Sequence, residues 1–168
     1  RATRSVTSTA NRLRPICACR TGLSREDFEL GGRLGYIQQR WQMMVRTLVL
    51  TVDRDNDLGI KTAIRGPVIG RRQVLTAALK LGIADPEESD TNAMLGALSA
   101  HDKLAEKKPE EDEVEIAILT GDEKVGIRSD RAIAAQLEEV VAQFQPDKAI
   151  LITDGAEDES VLPIIQSQ

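Results

Sequence analysis

Histidine and cysteine are scarce in this 168-residue sequence, and their scarcity excludes several classes of site. His101 is the single histidine, and its position on a helical face among apolar residues indicates a packed residue rather than a catalytic base. Cys17 and Cys19 are poorly spaced for a disulfide bond, and no further Cys or His pair completes a zinc site. Because a signal peptide and any run of about 20 apolar residues are also missing, we expect this stretch to be soluble and cytoplasmic.

Basic residues are unevenly distributed along the chain, whose formal net charge is −5. Residues 1–42 contain eight Arg, no Lys and three acidic residues, a net of +5, so the remainder carries −10. An acidic remainder argues against a nucleic-acid partner. Because residues 1–42 differ from the rest of the chain in net charge and in their use of Arg alone as base, we expect a non-native or disordered extension over residues 1–42. One α/β domain is expected over residues 43–168.

Short apolar runs alternate with amphipathic segments after residue 45. Strands alternating with helices specify βαβ units, so we predict a Rossmann-like three-layer α/β domain with a mainly parallel sheet, truncated at its C-terminus. The apolar stripe of the first helix includes Leu79 and Ile83, and Asp90 is the expected N-cap of the second. A long loop is expected between the first strand and the first helix. The predicted strands cover 46–52, 114–119 and 149–153, and the helices about 71–83, 91–107 and 129–144.

Acidic residues follow each predicted strand: Asp53 and Asp55 the first, Asp122 the second, Asp154 and Asp158 the third. Because parallel strands end at one edge of a sheet, these carboxylates are expected on the rim where open α/β sheets bind ligands. Clustered carboxylates are costly unless a cation offsets their charge, and Mg²⁺ prefers oxygen ligands. The sequence predicts Mg²⁺ at Asp53, Asp154 and Asp158, with Asp55 or Asp122 orienting a water. The alternative is that these are ordinary acidic residues of turns and helix starts.

Basic residues and glycines on the same predicted rim suit a phosphorylated ligand. Lys61 and Arg71 are expected to contact phosphate. The segment from Gly66 to Arg71 includes Gly70 and could direct backbone N–H groups and a helix N-terminus at an anion. It matches neither the Walker pattern nor G-x-G-x-x-G, and the alternative is two glycines that shape a turn.

The order of motifs is similar to that of the haloacid dehalogenase superfamily of phosphatases. This resemblance implies Asp53 as nucleophile, Asp55 as general acid, Thr120 as a phosphate ligand, and Asp154 and Asp158 as carboxylates on the metal side. The sequence departs from that pattern, since Asp57 replaces the usual Thr or Val. A single helix also separates Thr120 from Asp154, which leaves little room for the lysine that belongs to the superfamily's motifs.

Motifs that together span residues 45–167 indicate a second family. They are Arg46 to Leu50, Val52 to Gly59, Gly66 to Arg71, Ala84 to Asn92, Thr120 to Asp122, Ile152 to Glu159 and Pro163 to Ser167. With these motifs the sequence resembles the archaeal domain-of-unknown-function family three-seven-three, and the resemblance implies the soluble N-terminal domain of a membrane protein whose C-terminal spans are absent here. It also implies a location at the cytoplasmic face of the membrane, and it brings no established catalytic residue.

Two functions from different classes remain open at this point. The first is a divalent-metal-assisted module that binds or hydrolyses a phosphorylated small molecule or nucleotide. The alternative is a non-catalytic sensory or assembly domain that regulates a membrane channel or transporter. Whether the chain is an enzyme stays open, and a homo-oligomer is compatible with either function.

Overall fold

The computed structural model describes residues 45–107, 112–153, 155 and 161–167. In these residues a four-stranded sheet is combined with five helices, which gives a mixed α/β domain. The strands are β1 (Val45–Asp53), β2 (Val68–Ile69), β3 (Asp112–Thr120) and β4 (Lys148–Ile152), and the helices are α1 (Asp57–Thr62), α2 (Arg71–Ala84), α3 (Ser89–Lys107), α4 (Ile127–Phe144) and α5 (Leu162–Gln166). Strand β1 lies inside the sheet, whose order is β2-β3-β1-β4.

The three predicted strands are present and parallel. β1 pairs with β3 from Val45 opposite Asp112 to Asp53 opposite Thr120, and it pairs with β4 over a shorter stretch. β2 was not predicted; it runs antiparallel to β3, so the sheet is mostly rather than wholly parallel. The register places the end of β1 beside the end of β3, as the acidic-rim prediction requires.

Helices cover both faces of the sheet because alternate residues of β1 point in opposite directions. Val49 packs with buried residues of α2 and α3, whereas Leu48, Leu50 and Val52 pack with buried residues of α4. All four of these side chains are buried, so β1 lies between two apolar cores. This burial on both faces explains why β1 reads as a continuous apolar run.

Two details of the predicted helices are wrong. Helix α2 buries a face that includes Ala77, Ala78 and Leu81, and it leaves Leu79 and Ile83 55% and 81% exposed. The small alanines allow α2 to pack closely, so its buried face is rotated from the predicted stripe. Helix α3 begins at Ser89, which places Asp90 in the first turn instead of at the N-cap.

The region predicted as a long loop contains helix α1. Its Leu58 is fully buried in the core beneath α2 and α3. Within the described ranges, no helix combines the length and the apolar character that a membrane crossing needs.

Candidate carboxylate site at the end of strand β1

Asp53 is the last residue of β1, and its side chain is fully buried. Its Oδ1 accepts a hydrogen bond from the backbone N–H of Asp57 at 2.9 Å, and its Oδ2 accepts one from the N–H of Leu58 at 2.9 Å. These donors are the first two N–H groups of α1, which have no carbonyl partner inside the helix. The carboxylate of Asp53 therefore fixes the start of α1 against the end of β1.

The environment of Asp53 opposes its ionisation. Burial raises the pKa of Asp53, the neighbouring carboxylate of Asp55 adds to the rise, and the two backbone N–H groups oppose it; together they bring the pKa to about 6. Removal from water outweighs the hydrogen bonds because a buried charge loses its hydration. A cation beside Asp53 would reverse this balance.

Asp55 and Asp90 bring two more carboxylates to Asp53. One oxygen from each of the three side chains lies within 4.8 Å of the others. Asp55 is exposed in the β1–α1 loop, and Asp90 is half-buried in the first turn of α3. Two ligands on opposite sides of a cation are about 4.2 Å apart for Mg²⁺ and about 4.6–5.2 Å apart for Ca²⁺. The trio therefore has nearly the dimensions of a divalent-cation site.

The predicted site residues are only partly described. Asp53, a predicted metal ligand, and Asp55, predicted to orient a water, lie in the trio, whereas the predicted ligands Asp154 and Asp158 lie outside the described residues. Asp90 was not predicted to join this cluster, because the sequence indicated a helix start there and gave no sign that α3 begins beside β1. The one indication in the sequence was that Asp90 is an acidic residue and could therefore join a cluster of carboxylates.

Asp122 lies in the turn that follows β3, apart from the trio. Its Oδ1 accepts a hydrogen bond from the backbone N–H of Lys124 at 3.0 Å, and its Oδ2 is 3.7 Å from the guanidinium of Arg128. These contacts stabilise the turn before α4. The structure does not bring Asp122 into the cluster of Asp53, Asp55 and Asp90.

Gly121 joins the ends of β1 and β3. Its N–H donates to the backbone oxygen of Asp53 at 2.7 Å. A Cβ at this position would lie 2.1 Å from the backbone oxygen of Arg54 and 2.1 Å from Oγ of Ser129, which donates to that same oxygen at 2.6 Å. Glycine is required here because the two loops approach so closely.

Thr120 connects β3 to the segment before β2. The side-chain amide of Gln136 bonds both the N–H of Thr120, at 2.9 Å, and its carbonyl oxygen, at 2.7 Å. Oγ1 of Thr120 accepts the N–H of Gly66 at 3.1 Å, and the N–H of Gly70 donates to Ile116 O at 2.9 Å. The two glycine N–H groups predicted to bind an anion are thus engaged inside the protein.

Lys61 and Arg71, the two predicted phosphate contacts, are paired with carboxylates. Lys61 Nζ is 2.8 Å from Asp57 and 2.8 Å from Asp85, and it also bonds Glu88. These hydrogen bonds raise the pKa of Lys61 and lower that of Asp85.

Arg71 makes a two-pronged ion pair with Asp102. Its Nε lies 2.7 Å from Oδ1, and its terminal nitrogen lies 2.8 Å from Oδ2. The same Oδ1 is 3.0 Å from Nδ1 of His101, which is buried, as the sequence indicated. The guanidinium lowers the pKa of Asp102 and thereby keeps both partners charged.

A groove of about 680 Å³ lies between the β2 segment and the first half of α2. Ile64, Pro67 and Val68 contribute apolar surface, and Arg65 and Arg72 contribute positive charge. No member of the carboxylate trio lines it. The groove and the carboxylate site are therefore separate features of the surface.

Comparison with known proteins identifies relatives but no activity. The chain is similar to an uncharacterised protein of Archaeoglobus fulgidus, 50% identical over 125 residues, and to one of Methanocaldococcus jannaschii, 39% identical over 124 residues. These alignments cover 74% and 72% of this chain but 36% and 32% of the relatives, so the chain spans about a third of their length. No solved structure matches it. Residues 46–168 match the model of the family described as Domain of unknown function (DUF373), and the chain belongs to that family.

Proposed function

We propose that this domain binds a divalent cation at Asp53, Asp55 and Asp90 and uses it to hold a phosphorylated ligand. The observation that carries the proposal is the convergence of three carboxylates within 4.8 Å, one of them fully buried. Such a group is electrostatically costly without a positive charge, and carboxylate oxygens are the preferred ligands of Mg²⁺ and Ca²⁺. Both oxygens of Asp53 accept one N–H each and retain lone pairs that can face a cation.

The ligand we propose is a phosphorylated small molecule or a nucleotide. Mg²⁺ keeps several coordination positions for water and substrate phosphate when one or two carboxylates hold it. Asp55 is exposed, so it can orient a water at the cation, which would make hydrolysis possible. Lys124 in the turn after β3 and Arg128 in the first turn of α4 supply positive charge near the end of β3, which lies beside the end of β1. A Rossmann-like arrangement, with the ligand outside the carboxyl ends of the strands, is part of this proposal.

A second candidate is a non-catalytic sensory or assembly domain. It is favoured by one observation: Lys61 and Arg71, the basic residues expected to meet phosphate, are engaged with carboxylates of the same domain. Under this alternative the acidic residues shape turns and support the loops. In either case we propose that, in the longer family members, the domain lies at the cytoplasmic face of a membrane, and that it can form homo-oligomers.

A cation titration of the full chain tests the proposal. We expect Mn²⁺, Mg²⁺ and Ca²⁺ to raise the melting temperature of the wild type and Mn²⁺ to bind with one-to-one stoichiometry by calorimetry. Asp53→Asn and Asp90→Asn should lose this effect, because each removes one of three charged ligands. Glu138→Gln is the matched control, since Glu138 is an exposed acid on α4.

The outcomes separate the two candidates. Cation stabilisation that disappears in both aspartate variants and persists in the control would support the site and justify a screen of phosphorylated compounds. A wild type that binds no divalent cation would refute the proposal and favour the sensory or assembly function.

A further inference from the structure

We infer that Lys61 is a positioning residue for the cation site: its ion pairs hold the α2–α3 connection so that Asp90 faces Asp53 and Asp55. The inference rests on the proposed function, because it concerns the same three carboxylates. It gives Lys61 a role that differs from the phosphate contact expected from the sequence.

The contacts of Lys61 join two parts of the chain. Asp57 belongs to α1, four residues before Lys61, whereas Asp85 and Glu88 belong to the connection between α2 and α3. The lysine reaches across 24 and 27 residues of sequence to these two acids. One ammonium group therefore fastens the connection onto α1.

The connection leads directly into the site. Asp90 is two residues after Glu88, in the first turn of α3. At the opposite end of α1, Asp53 accepts the N–H groups of Asp57 and Leu58. Helix α1 is thus held at its start by one proposed ligand, and its Lys61 holds the segment that carries another. A loss of Lys61 would free the α2–α3 connection while leaving the Asp53 end intact.

Lys61 is poorly suited to bind the ligand itself. An ammonium group has three N–H donors, and three carboxylates surround this one. A phosphate could reach it only by displacing one of these acids. The geometry therefore favours an indirect role, like that of the outer hydrogen-bonding partners that orient metal ligands in other sites.

Mn²⁺ binding to the full chain is the test, with Lys61→Met as the variant and Lys80→Met as the control. Lys80 is an exposed lysine of α2, so its loss changes the net charge equally without touching the connection. We expect Lys61→Met to weaken Mn²⁺ binding by less than the loss of about 10- to 100-fold that follows removal of a direct partner of a metal ligand, because Lys61 bonds Asp57, Asp85 and Glu88 and none of the proposed ligands. Water-proton relaxation of bound Mn²⁺ should show an additional water, because Asp90 no longer occupies its position.

The double variant Lys61→Met/Asp90→Asn separates positioning from general destabilisation. If Lys61 acts through Asp90, the double variant should bind no more weakly than Asp90→Asn alone, at Mn²⁺ concentrations high enough to measure the residual binding of Asp90→Asn, whereas independent effects would add. Glu88→Gln is a milder change at the same contact, and it should lose part of the Mn²⁺ affinity that Lys61→Met loses. It replaces Lys61→Met in the test if that variant folds poorly.

Each outcome has a distinct meaning. Mn²⁺ affinity that is unchanged in Lys61→Met and Glu88→Gln, or effects that add in the double variant, would overturn the inference and leave the cation site standing. A wild type that binds no Mn²⁺ would overturn the proposed function, and the inference would fall with it.

Discussion

The buried carboxylate of Asp53 makes a specific prediction about stability and pH. Its folded-state pKa of about 6 lies above the ordinary value of 3.8. Because the folded protein holds this proton more tightly than the unfolded chain does, Asp53 contributes stability at low pH. That contribution is lost as the pH rises from about 4 through 6. Between pH 4.5 and 7.5, the two pKa values give a loss of about 2 kcal/mol in the free energy of unfolding.

Asp53→Asn isolates this effect. The amide cannot ionise, but its NH₂ group faces one of the two backbone N–H groups that the carboxylate accepts, which costs about 1–3 kcal/mol. We expect the variant to be less stable than the wild type at pH 4.5 and closer to it at pH 7.5. The stability difference between the two proteins should shrink by about 2 kcal/mol across this range.

Urea denaturation of both proteins in EDTA at several pH values measures this difference. About 2 kcal/mol corresponds to a shift of about 1 M in the relative midpoints, for a slope of about 2 kcal/mol/M. Asp85 and Asp102, whose pKa values are lowered, contribute oppositely and are common to both proteins, so the subtraction removes them. A difference that stays constant within about 0.5 kcal/mol would refute the reasoning that burial controls Asp53.

Two further predictions concern the loops that support the site. Gly121→Ala should destabilise the fold by about 1–3 kcal/mol in thermal denaturation, because its Cβ would lie 2.1 Å from two oxygen atoms. Gly155→Ala is the control and should be neutral, because no atom lies within 4 Å of the Cβ that it would add. Gln136→Leu should cost about 2–4 kcal/mol in urea denaturation, since it leaves the N–H and C=O of the buried Thr120 without their partner. Gln143→Leu is its control because the amide of Gln143 is exposed; equal effects of the two substitutions would contradict the role of Gln136.

The main elements could be predicted because they follow from local pattern. β1 and β3 are apolar runs long enough for a buried strand, and α4 has a clear helical period, so their existence and parallel order were evident from the sequence. Helix α1 and strand β2 were not evident. α1 has six residues and starts against the carboxylate of Asp53, and β2 has two residues that pair with β3. Such short elements exist because of distant contacts, which no local pattern reports.

The candidate site was predicted in part for the same reason. Asp53 and Asp55 could be found because they follow a strand directly in the sequence. Asp90 could not, since its proximity depends on how α2 and α3 cross the sheet. The pairing of Lys61 with Asp85 and Glu88 was equally hidden, because it spans 24 and 27 residues. The sequence shows which residues are charged, but their partners in ion pairs are visible only in the tertiary structure.

The central position of β1 has a consequence for how the protein is made. Its sheet partners β3 and β4 come 67 and 101 residues later in the chain. At about 5–20 residues per second, a ribosome needs roughly 3–13 s to add the first of these intervals. During that time neither of the partners with which the apolar strand pairs in the described residues has been made, and its non-local contacts also predict slow folding. Substitutions that delay the pairing of β3 with β1 should therefore cause aggregation of nascent chains before they lower the stability of the folded protein.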